Sequence, residues 1–148
     1  MPKSIIAKIK RVIQHRNCSI RGRMGNAALV LIVEDHEVTR ETLSVLFEKE
    51  GFRVHGTGSV REAANSFNAE PPDVAIVDVG LPDGSGLDLV ESFVTQRPEI
   101  PVIVVTASDL HGLAKQATKR GAFCFIHKPY GFRDVLAAVN AALEVGRH

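Results

Sequence analysis

From Ala28 onward, short apolar runs alternate with stretches whose apolar residues recur at helical spacing. Leu29 to Val33 is the first run and reads as a buried strand. Val38 to Glu50 then sets Leu43, Leu46 and Phe47 on successive turns, with Gly51 closing a helix. Phe52 to His55 is a shorter strand. Ser59 to Asn68 opens a second helix with Ser59 three residues before Glu62, a capping-box spacing, and Pro71-Pro72 ends that unit. Val74 to Val77 drives straight into Asp78 and a Pro/Gly turn. A third helix over Ser85 to Gln96 is expected to bury Leu87, Val90, Phe93 and Val94. Pro98 and Pro101 bracket the connection to the strand Val102 to Val105. The fourth helix, Leu110 to Arg120, has the thinnest stripe (Leu113, Ala114, Ala117), and Gly112 lowers its propensity. Phe123 to Ile126 is the last strand. Phe132 to Val145 closes the chain with apolar residues at 132, 135, 136, 139 and 143, a full core face.

Five strands alternating with five helices predict an α/β domain whose parallel sheet is covered on both faces. Right-handed crossovers reduce the topologies to a doubly wound sheet. For this length the flavodoxin-like five-stranded order 2-1-3-4-5 is expected, with strands 1 and 3 adjacent at the switch point where such sheets bind ligands. The domain spans 28–148, and residues 1–27 form a separate extension.

Composition alters this picture in two places. The net charge of +1 hides an asymmetry: Lys3, Lys8, Lys10, Arg11, Arg16, Arg21 and Arg23 stand in a segment with no acid, so the remainder is acidic. Ile5, Ile6, Ile9, Val12 and Ile13 fall on one helical face of that segment. An amphipathic helix on a membrane surface, an arm on nucleic acid, a docking helix and a disordered leader all fit, as does a start at Met24. The two cysteines, Cys18 and Cys124, make neither a disulfide framework nor a zinc site. No run approaches the roughly 20 apolar residues of a transmembrane segment, and no secretory signal opens the chain, so a cytoplasmic protein is expected.

The chemistry collects at the strand ends. The first strand stops at Glu34-Asp35, the third at Asp78, the fourth at Thr106-Ala107-Ser108 and the last at His127-Lys128-Pro129. Each has a plain alternative: helix cap, turn carboxylate, turn hydroxyl or solvated lysine. Their joint occurrence at corresponding ends points instead to phosphoryl transfer, which is catalysed by positioning and charge. A carboxylate can accept a phosphoryl group only if a hard cation sits between the negative groups. Glu34, Asp35 and Asp78, with the backbone carbonyl of Gly80, would hold Mg2+ or Mn2+, with Asp78 as nucleophile. Lys128 and the Thr106 hydroxyl would each meet a phosphoryl oxygen, and Ala107 leaves room and offers a backbone N–H. On this reading, removing Lys128 leaves cation binding largely intact.

These residues resemble the receiver domain of bacterial two-component response regulators. The likeness covers about residues 28 to 148, through Leu31-Ile32-Val33-Glu34-Asp35-His36, Val77 to Gly86, Val104-Val105-Thr106-Ala107 and Lys128-Pro129. It implies phosphorylation of Asp78 by a histidine kinase or histidine phosphotransfer protein, with Mg2+ on Glu34, Asp35 and Asp78. It also implies that Thr106 turns toward the phosphoryl group while the aromatic at 125 changes rotamer. That motion remodels the face of helix 4, strand 5 and helix 5, where a downstream protein docks. The Lys-Pro bond is expected to be cis.

The chain departs from the common pattern in carrying Glu34 for Asp, Phe125 for Tyr, and Gly80 and Ser108 at positions that tune phosphate lifetime. A haloacid-dehalogenase phosphatase is disfavoured, because Gly80 stands where its second acid is required. The expectation is therefore a phosphoacceptor, not an enzyme, beyond self-catalysed phosphotransfer and autodephosphorylation. No DNA-binding domain is read in the sequence. A stand-alone receiver is expected, with a docking module independent of phosphorylation, or a receiver cut from a hybrid kinase, as alternatives.

Overall fold

The computed structural model describes residues 27–107 and 112–146. The basic extension, Ser108 and the expected fourth-helix start at Leu110 lie outside them. Strands β1 (Leu29–Val33), β2 (Arg53–Thr57), β3 (Val74–Asp78), β4 (Val102–Thr106) and β5 (Cys124–His127) alternate with helices α1 (Glu37–Lys49), α2 (Val60–Ala69), α3 (Gly86–Gln96), α4 (Leu113–Lys119) and α5 (Phe132–Gly146). All strands are parallel, in the order β2-β1-β3-β4-β5. A small antiparallel ribbon, Gly80–Leu81 with Gly84–Ser85, fills the β3–α3 connection.

The period of two along each strand divides the core. Val30 and Ile32, Val74 and Ile76, Ile103 and Val105 pack on one face with Leu43 and Phe47 of α1 and Val135, Val139 and Ala142 of α5. Leu31 and Val33, Ala75 and Val77, Val102 and Val104 pack on the other face with residues of α2, α3 and α4. Both faces are covered, which is why the three central strands read as continuous apolar runs.

Local chemistry sets the element ends. Strand β2 starts one residue later than expected and runs on to Thr57, because its pairing with β1 continues through Gly56 and Thr57. Ser59 caps α2 by accepting from the Glu62 amide at 3.1 Å, yet Glu62 returns its carboxylate to Gly58 N–H at 3.0 Å. The capping box is thus displaced by one residue. Gly112, at φ +80°, immediately precedes α4 and restricts it to a short helix. Gly121, at φ +101°, closes against Val94, where a Cβ would lie 2.7 Å from Cγ1. In α5 the buried face is Val135, Ala138, Val139, Ala141, Ala142 and Leu143, while Phe132 and Leu136 are half-buried.

Phe47 is fully buried, edge-on to Phe52 at 5.5 Å and to Phe132 at 4.9 Å, and so joins α1, the turn before β2 and α5. Phe47→Ala is expected to cost about 3–5 kcal/mol in denaturant unfolding. A loss under about 1 kcal/mol would mean that this face is not packed as described.

Candidate functional site

Strand register delivers the site. Val33 pairs with Val77, so the next residues, Glu34 and Asp78, stand abreast; Asp78 pairs with Val105, and Thr106 with His127. Continuing the alternation, Glu34, Asp78 and Lys128 fall on the α1/α5 side of the sheet edge. Thr106 shares the opposite side with Phe125, which packs against that core. The Lys128 N–H donates to the Thr106 carbonyl at 2.8 Å, holding the end of β5 against β4.

Glu34 and Asp78 are buried, at 2 % and 7 % exposure, whereas Asp35 is exposed at the rim. One carboxylate oxygen from each lies within 4.8 Å of the other two. The ammonium of Lys128 donates to Glu34 Oε1 at 2.7 Å and to Asp78 Oδ2 at 2.9 Å. The second Glu34 oxygen accepts from His36 N–H at 3.2 Å, and Asp78 Oδ1 accepts from Gly80 N–H at 2.9 Å. Burial pushes the Glu34 carboxyl above its ordinary value of 4.5, against the opposing pull of the Lys128 hydrogen bond. Burial would depress Lys128, but its hydrogen bonds to Glu34 and Asp78 and their charges prevail, and its pKa is raised.

The acid pair does not cap α1. His36 does, its Nδ1 accepting from the Thr39 amide at 3.3 Å, so both acids remain available to the pocket. Three hard oxygen donors, two of them buried and already satisfied by a cation, match the donor set of a magnesium ion that retains several waters. The residues present therefore fit a divalent cation.

Comparison with known proteins assigns the family. The model of the response regulator receiver domain matches residues 30–140. The chain belongs to the response regulator receiver family. It is 35 % identical over 115 residues to the virulence transcriptional regulatory protein PhoP of Salmonella choleraesuis, covering 78 % of this chain and 51 % of PhoP. It is 36 % identical over 115 residues to the response regulator protein PilR of Pseudomonas aeruginosa, covering 78 % of this chain and 26 % of PilR. The CheY-like receiver of Methanospirillum hungatei superposes with a TM-score of 0.80 at 26 % identity, over 82 % of this chain and 98 % of that one. This receiver spans about half the length of PhoP and about a quarter of PilR. No helix among the described residues is long and apolar enough to cross a membrane.

Glu34, Asp35, Asp78, Thr106, Ala107 and Lys128 lie at the carboxyl edge of the receiver sheet, Gly80 follows in the ribbon, and Phe125 lies further back within β5; Thr106 is buried at 3 % exposure. The Lys128–Pro129 bond is cis, as the resemblance implied. One expectation is revised. Lys128 is not confined to the phosphoryl side, because it binds two of the three carboxylates that would hold the cation. Its removal is therefore expected to alter cation binding rather than leave it largely intact.

Other contributors have no local signature. The hydroxyl of Tyr130 is buried without a hydrogen-bond partner among the described residues, and burial raises its pKa. Gly86 lies so close beneath the acceptor that a Cβ would be 2.4 Å from the Asp78 carbonyl. Asp83 reads as turn chemistry, yet its carboxylate accepts from Val60 N–H at 2.7 Å and Arg61 N–H at 3.1 Å. It thereby straps the loop after Asp78 to the start of α2.

The Val60 amide, more than any other group, holds the Asp83 carboxyl below its ordinary value of 3.8. A depressed folded value means that the strap stabilises above the unfolded pKa and is lost as pH falls through the folded one. Asp83→Ala should lower Tm at neutral pH, and the gap from the unaltered protein should close below pH 3.8. A gap that is the same at pH 7 and in acid would show that the ionised carboxylate is not what holds the loop.

Proposed function

We propose that this receiver accepts a phosphoryl group from phosphohistidine onto Asp78 and signals by binding a partner protein in that state. The observation that carries the reading is the meeting of Glu34, Asp35 and Asp78, three carboxylates within 4.8 Å, with the Lys128 ammonium on two of them.

A carboxylate oxygen of Asp78 attacks phosphorus, an aspartyl P–O bond forms, the P–N bond to the donor imidazole breaks, and the imidazole leaves and is reprotonated. Two anions must approach during this step, so the work of the site is charge management. Glu34, Asp35 and Asp78, with the Gly80 carbonyl, would hold Mg2+, which supplies positive charge between acceptor and phosphoryl oxygens. Gly80 N–H fixes Asp78 Oδ1, leaving the carboxylate a single orientation. Lys128 already touches Asp78 Oδ2, so it follows the negative charge as that charge moves onto the phosphoryl group. The Thr106 hydroxyl and Ala107 N–H would meet the remaining oxygens.

The readout follows from the two sides of the sheet edge. Thr106 and Phe125 lie on the side opposite the carboxylates, with Phe125 paired to Val104 in the neighbouring strand. Movement of Thr106 toward a phosphoryl group would open space that the Phe125 ring can enter. Phe125 has no hydroxyl, so the change is one of packing alone, transmitted to the α4–β5–α5 face. The donor would be a histidine kinase or histidine phosphotransfer protein. The receiver would turn over no external substrate beyond accepting and losing its own phosphoryl group, and a cytoplasmic location suits that chemistry.

Incubation with Mg2+ and acetyl phosphate, followed by intact-protein mass spectrometry, tests the assignment. The unaltered protein should gain one base-labile phosphoryl adduct. Folded Asp78→Asn, and the unaltered protein with the metal chelated, should gain none. An equal adduct on Asp78→Asn would place the acceptor elsewhere.

A further inference from the structure

The glycines of Gly56-Thr57-Gly58 serve no nucleotide, since Arg61 stands where a phosphate-binding motif needs its third glycine. The structure gives them another use. Arg40, one turn into α1, sends its side chain across the start of the β2–α2 connection. Its Nη1 donates to the Glu34 carbonyl at 2.9 Å. A Cβ on Gly56 would lie 3.3 Å from Arg40 Cγ, and one on Gly58 would lie 2.8 Å from Arg40 Nη1. The two glycines therefore form the channel through which the guanidinium reaches the loop carrying the acid pair. The other backbone tie on Glu34 is its N–H to the Thr57 carbonyl at 2.9 Å. Glu34 is thus gripped through its N–H by β2 and through its carbonyl by Arg40.

We propose that Arg40 is the positioning residue of the cation pocket. Through the Glu34 carbonyl it fixes the peptide between Glu34 and Asp35, and so the angle at which both carboxylates are presented. The proposal rests on the reading of these acids as cation ligands. Arg40 touches neither the cation nor the phosphoryl group, and it acts through the backbone of the residues that do. Groups that orient ligands from behind typically account for about tenfold to a hundredfold in metal affinity.

The sign of the effect separates positioning from simple charge. A nearby guanidinium repels a divalent cation, so if Arg40 acted only through its charge, removing it would tighten Mg2+ binding. If it positions the acids, removing it weakens binding. The chain has no tryptophan to report binding, so calorimetric titration with Mg2+ alone is the suitable measurement. Arg40→Met keeps the stem and removes the donors; it should weaken Mg2+ binding about tenfold or more, and Arg40→Lys should restore part of the loss. Gly58→Ala leaves Arg40 in the sequence but displaces its guanidinium, and should weaken Mg2+ to a similar degree. The double variant should be no weaker than either single one, because both act on one hydrogen bond.

Arg40→Met with unchanged or tighter Mg2+ binding would overturn the proposal, as would additive losses in the double variant. A fall in Tm with unchanged affinity would reduce Arg40 to a structural residue. Failure of the unaltered protein to bind Mg2+ would overturn the cation reading itself, and this inference with it.

Discussion

The half-buried ammonium of Lys128 is the interaction on which the site depends. Two carboxylates with under a tenth of their surface exposed cannot stand side by side at a sheet edge as bare anions. Lys128 lies 2.7 Å from one and 2.9 Å from the other, and sets a positive charge against both. It neutralises only part of the cluster, since Asp35 adds a third negative group at the rim. On the proposed reading, the excess negative charge would draw a further cation to the pocket. The same ammonium then becomes a competitor for two of the ligands. A glutamate at position 34 suits this arrangement, because its longer side chain can reach Lys128 while its backbone holds the β1–α1 turn.

The rest of the domain serves to hold that cluster at the edge. Parallel strands in register bring Glu34 and Asp78 abreast, and period-two alternation sends Thr106 and Phe125 to the opposite side. Chemistry and readout therefore occupy different faces of one sheet, joined through β4. Three residues tie the loops to other elements: Arg40 on the Glu34 carbonyl, Asp83 on two amides of α2, and Thr106 on the Lys128 amide. Arg40 and Thr106 lie outside the loops they brace, and Asp83 reaches out of its own loop to a different helix.

That non-locality explains what was legible in the sequence. Apolar runs and helical spacing reveal the five strands, the five helices and the sheet order, because each signal is contained within one element. The carboxylates, Thr106 and Lys128 are equally visible, since each ends or directly follows a strand. The end of β2 was missed because Gly56 has poor strand propensity and breaks the apolar pattern, while pairing with β1 carries the strand through it to Thr57. The cap on α1 was missed because the adjacent acids are stronger candidates than a histidine. The Asp83 strap joins residues more than twenty positions apart, and the Arg40 bond, though only six positions long, depends on the room left by Gly56 and Gly58 of another element; nothing in the local sequence marks either. The position of Lys128 at the end of the last strand is legible, but its bond to Glu34 spans 94 positions and depends on the packing of β5 beside β4.

The direct test of this account is the Mg2+ affinity of Lys128→Met compared with the unaltered protein, measured by calorimetry at neutral pH. If the ammonium stands in for the cation, removing it frees two ligands and one repelling charge, and affinity should rise by about tenfold or more. Unchanged or weaker binding in a folded Lys128→Met protein would contradict the claim that lysine and metal share one set of carboxylates.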